Sequence, residues 1–174
     1  SEVTRYYRRF GAWLAVFHVL STSDMHMENY IAQGGHPVPV DFEMVLQGLR
    51  QQPKSVDDDT QAHWNVAHFI EDSVQSVGML PAYVMGQDGS LISMGALEPS
   101  VYPVQVLQWD DVNTPRMLLR STTEHIEIST NLPTLDGLPV PVARFRDAFL
   151  NGFVETMQFV SSHRNEVLAA IDAA

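Results

Sequence analysis

Ser23-Asp24-Met25-His26-Met27-Glu28-Asn29-Tyr30-Ile31-Ala32, followed after a turn by His36-Pro37-Val38-Pro39-Val40-Asp41-Phe42-Glu43, is the stretch on which the fold and the chemistry of this chain turn. Tyr30-Ile31-Ala32 and Val38-Pro39-Val40 are short β-prone arms on either side of Gln33-Gly34-Gly35-His36-Pro37, the pattern of a tight hairpin. A hairpin returns the chain beside itself, so Asp41 is expected close to Asn29. Asp24, then Asn29 after four intervening residues, then Asp41 after the hairpin is the order that kinase-type phosphoryl transfer requires. One acidic residue stands beside the attacking hydroxyl, and an Asn and a second Asp hold the magnesium ions that bridge the nucleotide phosphates. Magnesium takes a few hard oxygen ligands and keeps several waters, so one carboxylate and one amide carbonyl suffice.

Two further side chains qualify this pattern. His26 lies two residues after Asp24, where lipid kinases but not usually protein kinases carry a histidine; an anionic phosphate nearby would favour its protonated form and let it stabilise charge on the transferred group. Glu43 stands where protein kinases have the glycine of their Asp-Phe-Gly triplet, which speaks against a protein-kinase activation switch and adds a possible metal or supporting carboxylate. The plain structural alternative is a polar loop at 24–29 and an Asp41 that caps a helix starting near Glu43. It accounts for each piece singly, but not for their placement on either side of a Gly-Gly hairpin and behind a helix.

Outward from this stretch, residues 6–20 place Tyr6, Phe10, Trp13, Leu14, Phe17 and Leu20 close to the rhythm of a half-buried helix. Residues 44–50 suggest a short helix and 51–60 a polar loop with the acidic run Asp57-Asp58-Asp59, a solvated feature with no assigned role. Residues 65–84 hold β-prone runs, 86–90 a turn, and 101–109 an extended segment. Short strands are expected at 117–119 and 126–128, a loop with two prolines at 131–139, and a helix over 142–160 with Phe145, Phe149, Phe153 and Met157 at steps of four, continued by another that ends near Ala173. The architecture expected is α+β.

With 174 residues, 45% of them hydrophobic, the chain is sized for one domain. Its formal charge of −11, from 21 acidic and 10 basic residues, repels polyanions and argues against nucleic acid as a partner. A nucleotide would have to arrive with a divalent cation. There are no cysteines, hence no disulfide framework and no thiolate metal site, which fits a cytoplasmic protein. No apolar run approaches the roughly 20 residues of a membrane span. The amphipathic start, without a signal pattern, reads as a cut through a longer chain.

The two quoted runs resemble the catalytic and metal-binding loops of the dehydratase domain in class II lanthipeptide synthetases, the LanM type. Tyr7-Arg8-Arg9-Phe10-Gly11 before them resembles the same family, as do Asp72-Ser73-Val74, Gly78-Met79-Leu80-Pro81, Asn131-Leu132-Pro133, Gly137 and Gly152-Phe153 after them, so the likeness covers nearly the whole chain. It implies a lipid-kinase-like fold, here a kinase-like C-lobe. It also implies a single unit over 1–174 that is the central fragment of a larger domain, whose N-lobe and C-terminal elimination segment lie outside it. The implied reaction is phosphorylation of Ser or Thr in a precursor peptide from ATP, then elimination of phosphate to a dehydroamino acid. By the family pattern Asp24 and His26 serve phosphoryl transfer, Asn29 and Asp41 bind Mg2+ and through it the nucleotide, and Glu43 matches a metal-site position. The lysine that contacts the nucleotide and the residues that serve elimination would lie outside these positions, so turnover by the chain alone is in question; Arg50 and Lys54 have no matching context.

Two rivals stand beside this. On an extended strand Asp24, His26 and Glu28 would share one face and form the metal set of a hydrolase, with His63 and His68 as weak further ligands. Alternatively, the chain is a catalytically silent module that binds a peptide and keeps the kinase-like loops as scaffold.

Overall fold

The computed structural model describes residues 1–47, 58–86, 89, 91–128 and 130–173. Helix α1 (Glu2–Val19) starts at Ser1, whose hydroxyl accepts the Thr4 amide at 3.2 Å, one of the donors a helix N-terminus leaves without an internal partner. The expected periodicity at 6–20 is this helix. Its inner face buries Tyr6, Tyr7, Phe10, Leu14 and Phe17. Tyr6 donates its hydroxyl to the carbonyl of Asn131 and Tyr7 to that of Val140, so two buried polar tips are satisfied while their rings fill the core. Burial pushes both phenols well above the ordinary tyrosine range, which keeps them neutral donors.

The hairpin forms as read: β1 (Tyr30–Gln33) pairs antiparallel with β2 (His36–Pro39), Tyr30 opposite Pro39 and Gln33 opposite His36. Gly34 takes the left-handed conformation that the two-residue turn needs, at φ 55°. The hairpin lies on α1. Trp13 Nε1 donates to the Pro37 carbonyl at 3.2 Å, the Arg9 guanidinium donates to the Gly35 carbonyl at 2.7 Å, and Phe10 meets the Tyr30 ring edge-on with centroids 4.7 Å apart.

The C-terminal helical part also forms, as a 3-10 turn (Val142–Phe145), α3 (Arg146–Ser162) and α4 (Arg164–Asp172). Two glycines decide how α3 meets α1. A Cβ on Gly11 would overlap the Phe149 carbonyl, and a Cβ on Gly152 would overlap the Arg8 carbonyl, so the helices approach backbone to backbone. Arg8 and Glu155 close the outer side of this contact as an ion pair. Gly11 and Gly152, more than a hundred positions apart in sequence, are two halves of one device.

Between these parts the chain departs from expectation. Residues 65–84 are not mainly strand: α2 (Asp58–Glu71) runs through the first of them, followed by a 3-10 turn (Val74–Val77), and only β3 (Tyr83–Met85) is extended. Val66, Phe69 and Ile70 are spaced at three and four as on one helix face, and Trp64 stacks on His68 one turn away, with 4.7 Å between ring centroids. Residue composition alone had suggested strand. Asp58 and Asp59 fall within α2 and are not loop; Asp57 lies outside the described residues, as do Arg50 and Lys54.

β3 pairs with β4 (Leu91–Ser93) around the expected turn, of which residues 87, 88 and 90 lie outside the description. The segments at 117–119 and 126–128 are the ends of one strand, β6 (Leu118–Ile128), paired along its whole length with β5 (Ser100–Asp110). The polar residues between them belong to a ribbon whose faces are largely open to solvent, so no apolar run was needed to hold it extended. The proline-containing loop at 131–139 contains a small hairpin of β7 (Thr134–Leu135) and β8 (Leu138–Pro139). Asp136 and Gly137 both have positive φ, the Asp-Gly turn that such hairpins use. The protein is thus α+β, and among the described residues no helix is long and apolar enough to cross a membrane.

Replacing either glycine of the α1–α3 contact by alanine forces the two backbones apart. Gly11→Ala and Gly152→Ala are each expected to lower stability by about 2 kcal/mol, read as an earlier urea midpoint with an unchanged slope; a midpoint equal to the parent's would show that the helices do not depend on this close seating.

Candidate functional site

The chain leaves α1 through Ser21, at φ 50°, and Thr22, whose amide donates to the Phe17 carbonyl at 2.9 Å. Residues 20–23 then run beside 44–47. The Ser23 amide donates to Met44 O at 3.2 Å, Leu46 to Leu20 O at 3.0 Å, and Gln47 to Ser21 O at 3.3 Å. The short helix expected from Met44 is therefore absent over 44–47, because those backbone groups are engaged across to the loop; residues 48–50 lie outside the description.

From Asp24 to Glu28 side chains alternate, Met25 and Met27 buried and Asp24, His26 and Glu28 outward. The two methionines hold the loop in the core, and Met25 is tied from below by its amide donating to Val77 O at 2.8 Å. Gly78 lies close beside it, at φ 85°, and a Cβ there would come within 3.1 Å of the Met25 nitrogen, a tight approach. This support comes from about fifty residues further along the chain, and no local signal in 23–29 could have announced it.

The outward alternation is not a strand. Asp24 sits in the left-handed region at φ 65°, which Asp tolerates better than most residues, and Met27–Asn29 is a 3-10 turn. His26 caps that turn: its Nδ1 accepts the Glu28 amide at 3.2 Å, so Nε2 carries the proton of the neutral ring and lies 3.7 Å from Asp24 Oδ1. The strand that the hydrolase reading requires is missing, and among the described residues no three His, Asp or Glu side chains gather where they could share a metal. His63 and His68 lie on α2, with His68 Nε2 3.4 Å from Asp72 Oδ2.

Asn29 joins the loop to the hairpin. Its Nδ2 donates to the Asp24 carbonyl at 2.7 Å, holding the left-handed residue in place, and its backbone carbonyl accepts the Val40 amide at 3.1 Å. This last bond extends the β1–β2 pairing by one step and delivers Asp41 beside Asn29. Asp41 Oδ1 accepts the Glu43 amide at 3.1 Å, which orients its carboxylate, and Phe42 leans on Phe17 with centroids 6.1 Å apart. Asp24, Asn29, Asp41 and Glu43 line one shallow recess, together with Ser23, Met25 and Met44. His26 is at its edge through Asp24. All five sequence-predicted residues are thus in one neighbourhood. With Nδ2 engaged, Asn29 retains its amide oxygen, and with Oδ1 engaged, Asp41 retains Oδ2. A hard-oxygen donor set of one amide and one or two carboxylates suits magnesium, so the residues present fit that ion.

A family model described as a domain of unknown function (DUF4135) matches residues 1–173. The chain is similar to the lacticin 481/lactococcin biosynthesis protein LcnDR2 of Lactococcus lactis subsp. lactis, with 27% identity over 173 residues; the match covers 96% of this chain and 18% of that protein. The chain therefore spans under a fifth of the length of the curated relative it matches. No solved structure matches it. A family match across essentially the whole chain, over a fold in which the loop, the hairpin and the two helix-contact glycines act together, places the chain in the DUF4135 family.

Proposed function

We propose that this chain is the kinase-like C-lobe of a lanthipeptide-maturing phosphotransferase, holding magnesium and nucleotide at Asn29 and Asp41 and activating a peptide hydroxyl with Asp24. The observation that supports it most is the bond from the Val40 amide to the Asn29 carbonyl, which brings Asn29 and Asp41 to one recess with Asp24. The similarity to a lacticin 481/lactococcin biosynthesis protein supports a precursor peptide as the substrate class and lanthipeptide maturation as the setting.

In this scheme Asn29 Oδ1 and Asp41 Oδ2 would hold the magnesium, with Glu43 beside them. Bound there, the ion would supply positive charge against the nucleotide phosphates during phosphoryl transfer. Asp24 accepts the proton of a Ser or Thr hydroxyl as its oxygen forms the new bond to phosphorus and the bond to ADP breaks. His26, whose Nδ1 is engaged by the Glu28 amide, donates from Nε2 to the transferred group and stabilises its charge. Asn29 does two things at once, since the amide nitrogen that fixes Asp24 and the amide oxygen that faces the metal belong to one rigid group. Phosphate is a far better leaving group than hydroxide. Loss of the peptide Cα proton and of phosphate from Cβ then yields the dehydroamino acid, a step assigned to residues other than these five.

Titration of the chain with ADP should release heat that depends on magnesium and disappears in the Asn29→Ala, Asp41→Ala double variant, with circular dichroism unchanged. Absence of magnesium-dependent heat in the parent chain would count against the nucleotide site. Asp24→Asn separates chemistry from binding: the magnesium-dependent ADP heat stays, while phosphorylation of the precursor peptide by the complete enzyme falls by at least about a hundredfold. Phosphorylation at the parent rate would remove Asp24 from the catalytic role.

A further inference from the structure

The chain leaves the recess through a turn that is apolar at both ends and strained at one. Phe42 to Val45 is closed by the Val45 amide donating to the Phe42 carbonyl at 3.3 Å, and a turn of this kind brings its ends within about 7 Å. Phe42 stands at one end and Leu46 directly follows the other. Both are open to solvent, at 51% and 58%, although phenylalanine and leucine are among the residues whose burial a fold gains most from. We propose that Phe42 and Leu46 form a grip for an apolar side chain, of the leucine kind, on the peptide that presents its hydroxyl to Asp24. The assignment rests on the phosphotransferase reading for its substrate and deepens it into a specificity site.

Two independent observations carry it. The first is backbone strain. Leu46 sits in the left-handed region at φ 59°, where a branched side chain is crowded and glycine fits freely. It is held there by its own amide, which donates to the Leu20 carbonyl at 3.0 Å, and by the next, from Gln47 to Ser21 O at 3.3 Å. Those bonds need only the main chain, and a side chain more than half exposed gains little from core burial. Leucine kept in a conformation that suits glycine, with its side chain in water, is the kind of outlier that marks ligand clamps. The second observation is placement. Phe42 lies between Asp41 and Glu43, which line the recess, and its ring is braced by the buried Phe17, with centroids 6.1 Å apart. Met44 lines the recess too, and its carbonyl accepts the Ser23 amide at 3.2 Å. The arm from Met44 to Gln47 therefore runs beside residues 20–23, the segment that leads into Asp24, and Leu46 borders the recess on that side. An extended peptide advances about 3.3–3.6 Å per residue, so a side chain within about three positions of the reacting Ser or Thr is the one in reach. A ring and a branched aliphatic chain exclude water and offer no hydrogen bond. A charged or amide side chain would lose its hydration between them, whereas an apolar one is favoured.

The test titrates capped peptides into the 174-residue chain. Each carries one serine and, at one of the positions within about three of it, either leucine or glutamine. For at least one position the leucine peptide is expected to bind about fivefold more tightly, part of what burial of a whole leucine gives. Leu46→Asn is the deciding variant, because asparagine accepts the left-handed backbone and only the apolar branch is lost. It should melt within about 2 °C of the parent and lose most of the leucine preference. Phe42→Ser, at a second exposed position, should lose it as well and keeps the question open to decision if Leu46→Asn does not fold. A leucine with a merely structural role would give the reverse, a lower melting temperature with the preference intact, and that result would overturn the proposal. So would equal affinity for the two kinds of peptide, or binding of neither. If Leu46→Asn weakened magnesium-dependent binding of ADP but not of pyrophosphate, the pair would hold the nucleotide base instead. If the parent sedimented as a dimer and Leu46→Asn as a monomer, the pair would belong to an interface with a second copy. A leucine preference lost in Leu46→Asn, in a chain that shows no magnesium-dependent ADP heat, would uphold the grip and sink the phosphotransferase reading; ADP heat without the preference would do the opposite.

Discussion

The seating of α1 against α3 is the constraint from which the rest is built. With hydrogen atoms in place of side chains at Gly11 and Gly152, the two backbones come close enough for Phe149 to reach Phe10 and for Arg8 to meet Glu155. Helix α1 is thereby fixed, and it carries the others: its aromatic face forms much of the core, its Trp13 and Arg9 hold the β1–β2 hairpin, and its C-terminus releases the loop that contains Asp24. Each feature of the candidate site is one or two contacts away from that helix. Close packing of this kind transmits small errors, because interiors have few voids to absorb them.

The loop itself combines strain with restraint. Asp24 adopts a left-handed backbone, which costs of order 1 kcal/mol for a residue with a Cβ, and three groups oppose its relaxation. Met25 is buried and tied to Val77, the Asn29 amide is bonded to the Asp24 carbonyl, and Ser23 is bonded across to Met44. A backbone held against its own preference from three directions is a fixed one, so the Asp24 side chain leaves the chain from a defined point. The 3-10 turn capped by His26 adds orientation to the imidazole, whose other nitrogen is left toward Asp24. Tyr30, the first residue after the turn, is fully buried, so the outward polar loop is bounded by an anchor at each end.

Away from this centre the molecule is less self-sufficient. The β5–β6 ribbon pairs over eleven rungs but leaves Leu107, Trp109, Leu118 and Leu119 exposed, and a two-stranded ribbon on its own is marginal in water. Val66, Phe69 and Ile70 on α2 are exposed as well, as are Val40 and Phe42 at the mouth of the recess. The exposed apolar surface lies mostly on the middle segments, where expectation and structure also differed most. Both facts have one cause. These elements bury little against the rest of the described residues, so their patterning carries little record of an inside and an outside.

Where an element has a strong inside, the sequence determined it alone. The 3.6-residue rhythm of Tyr6, Phe10, Leu14 and Phe17 made α1 legible, and the steps of four from Phe145 to Met157 did the same for α3. Gly34-Gly35 between β-prone arms made the hairpin legible, because few residues other than glycine accept its turn. The order Asp24, Asn29, Asp41 was readable for the same reason: a hairpin is a local structure, and locality lets spacing stand in for distance. Asp136-Gly137 held an equally local signal, masked by the prolines around it. Only the tertiary structure decided that Gly11 meets Gly152, that Val77 and Gly78 support Met25, and that Leu46 is tied back to Leu20. Those contacts join segments far apart in the chain. Their geometry depends on packing of whole elements, which no short-range pattern of residue types encodes.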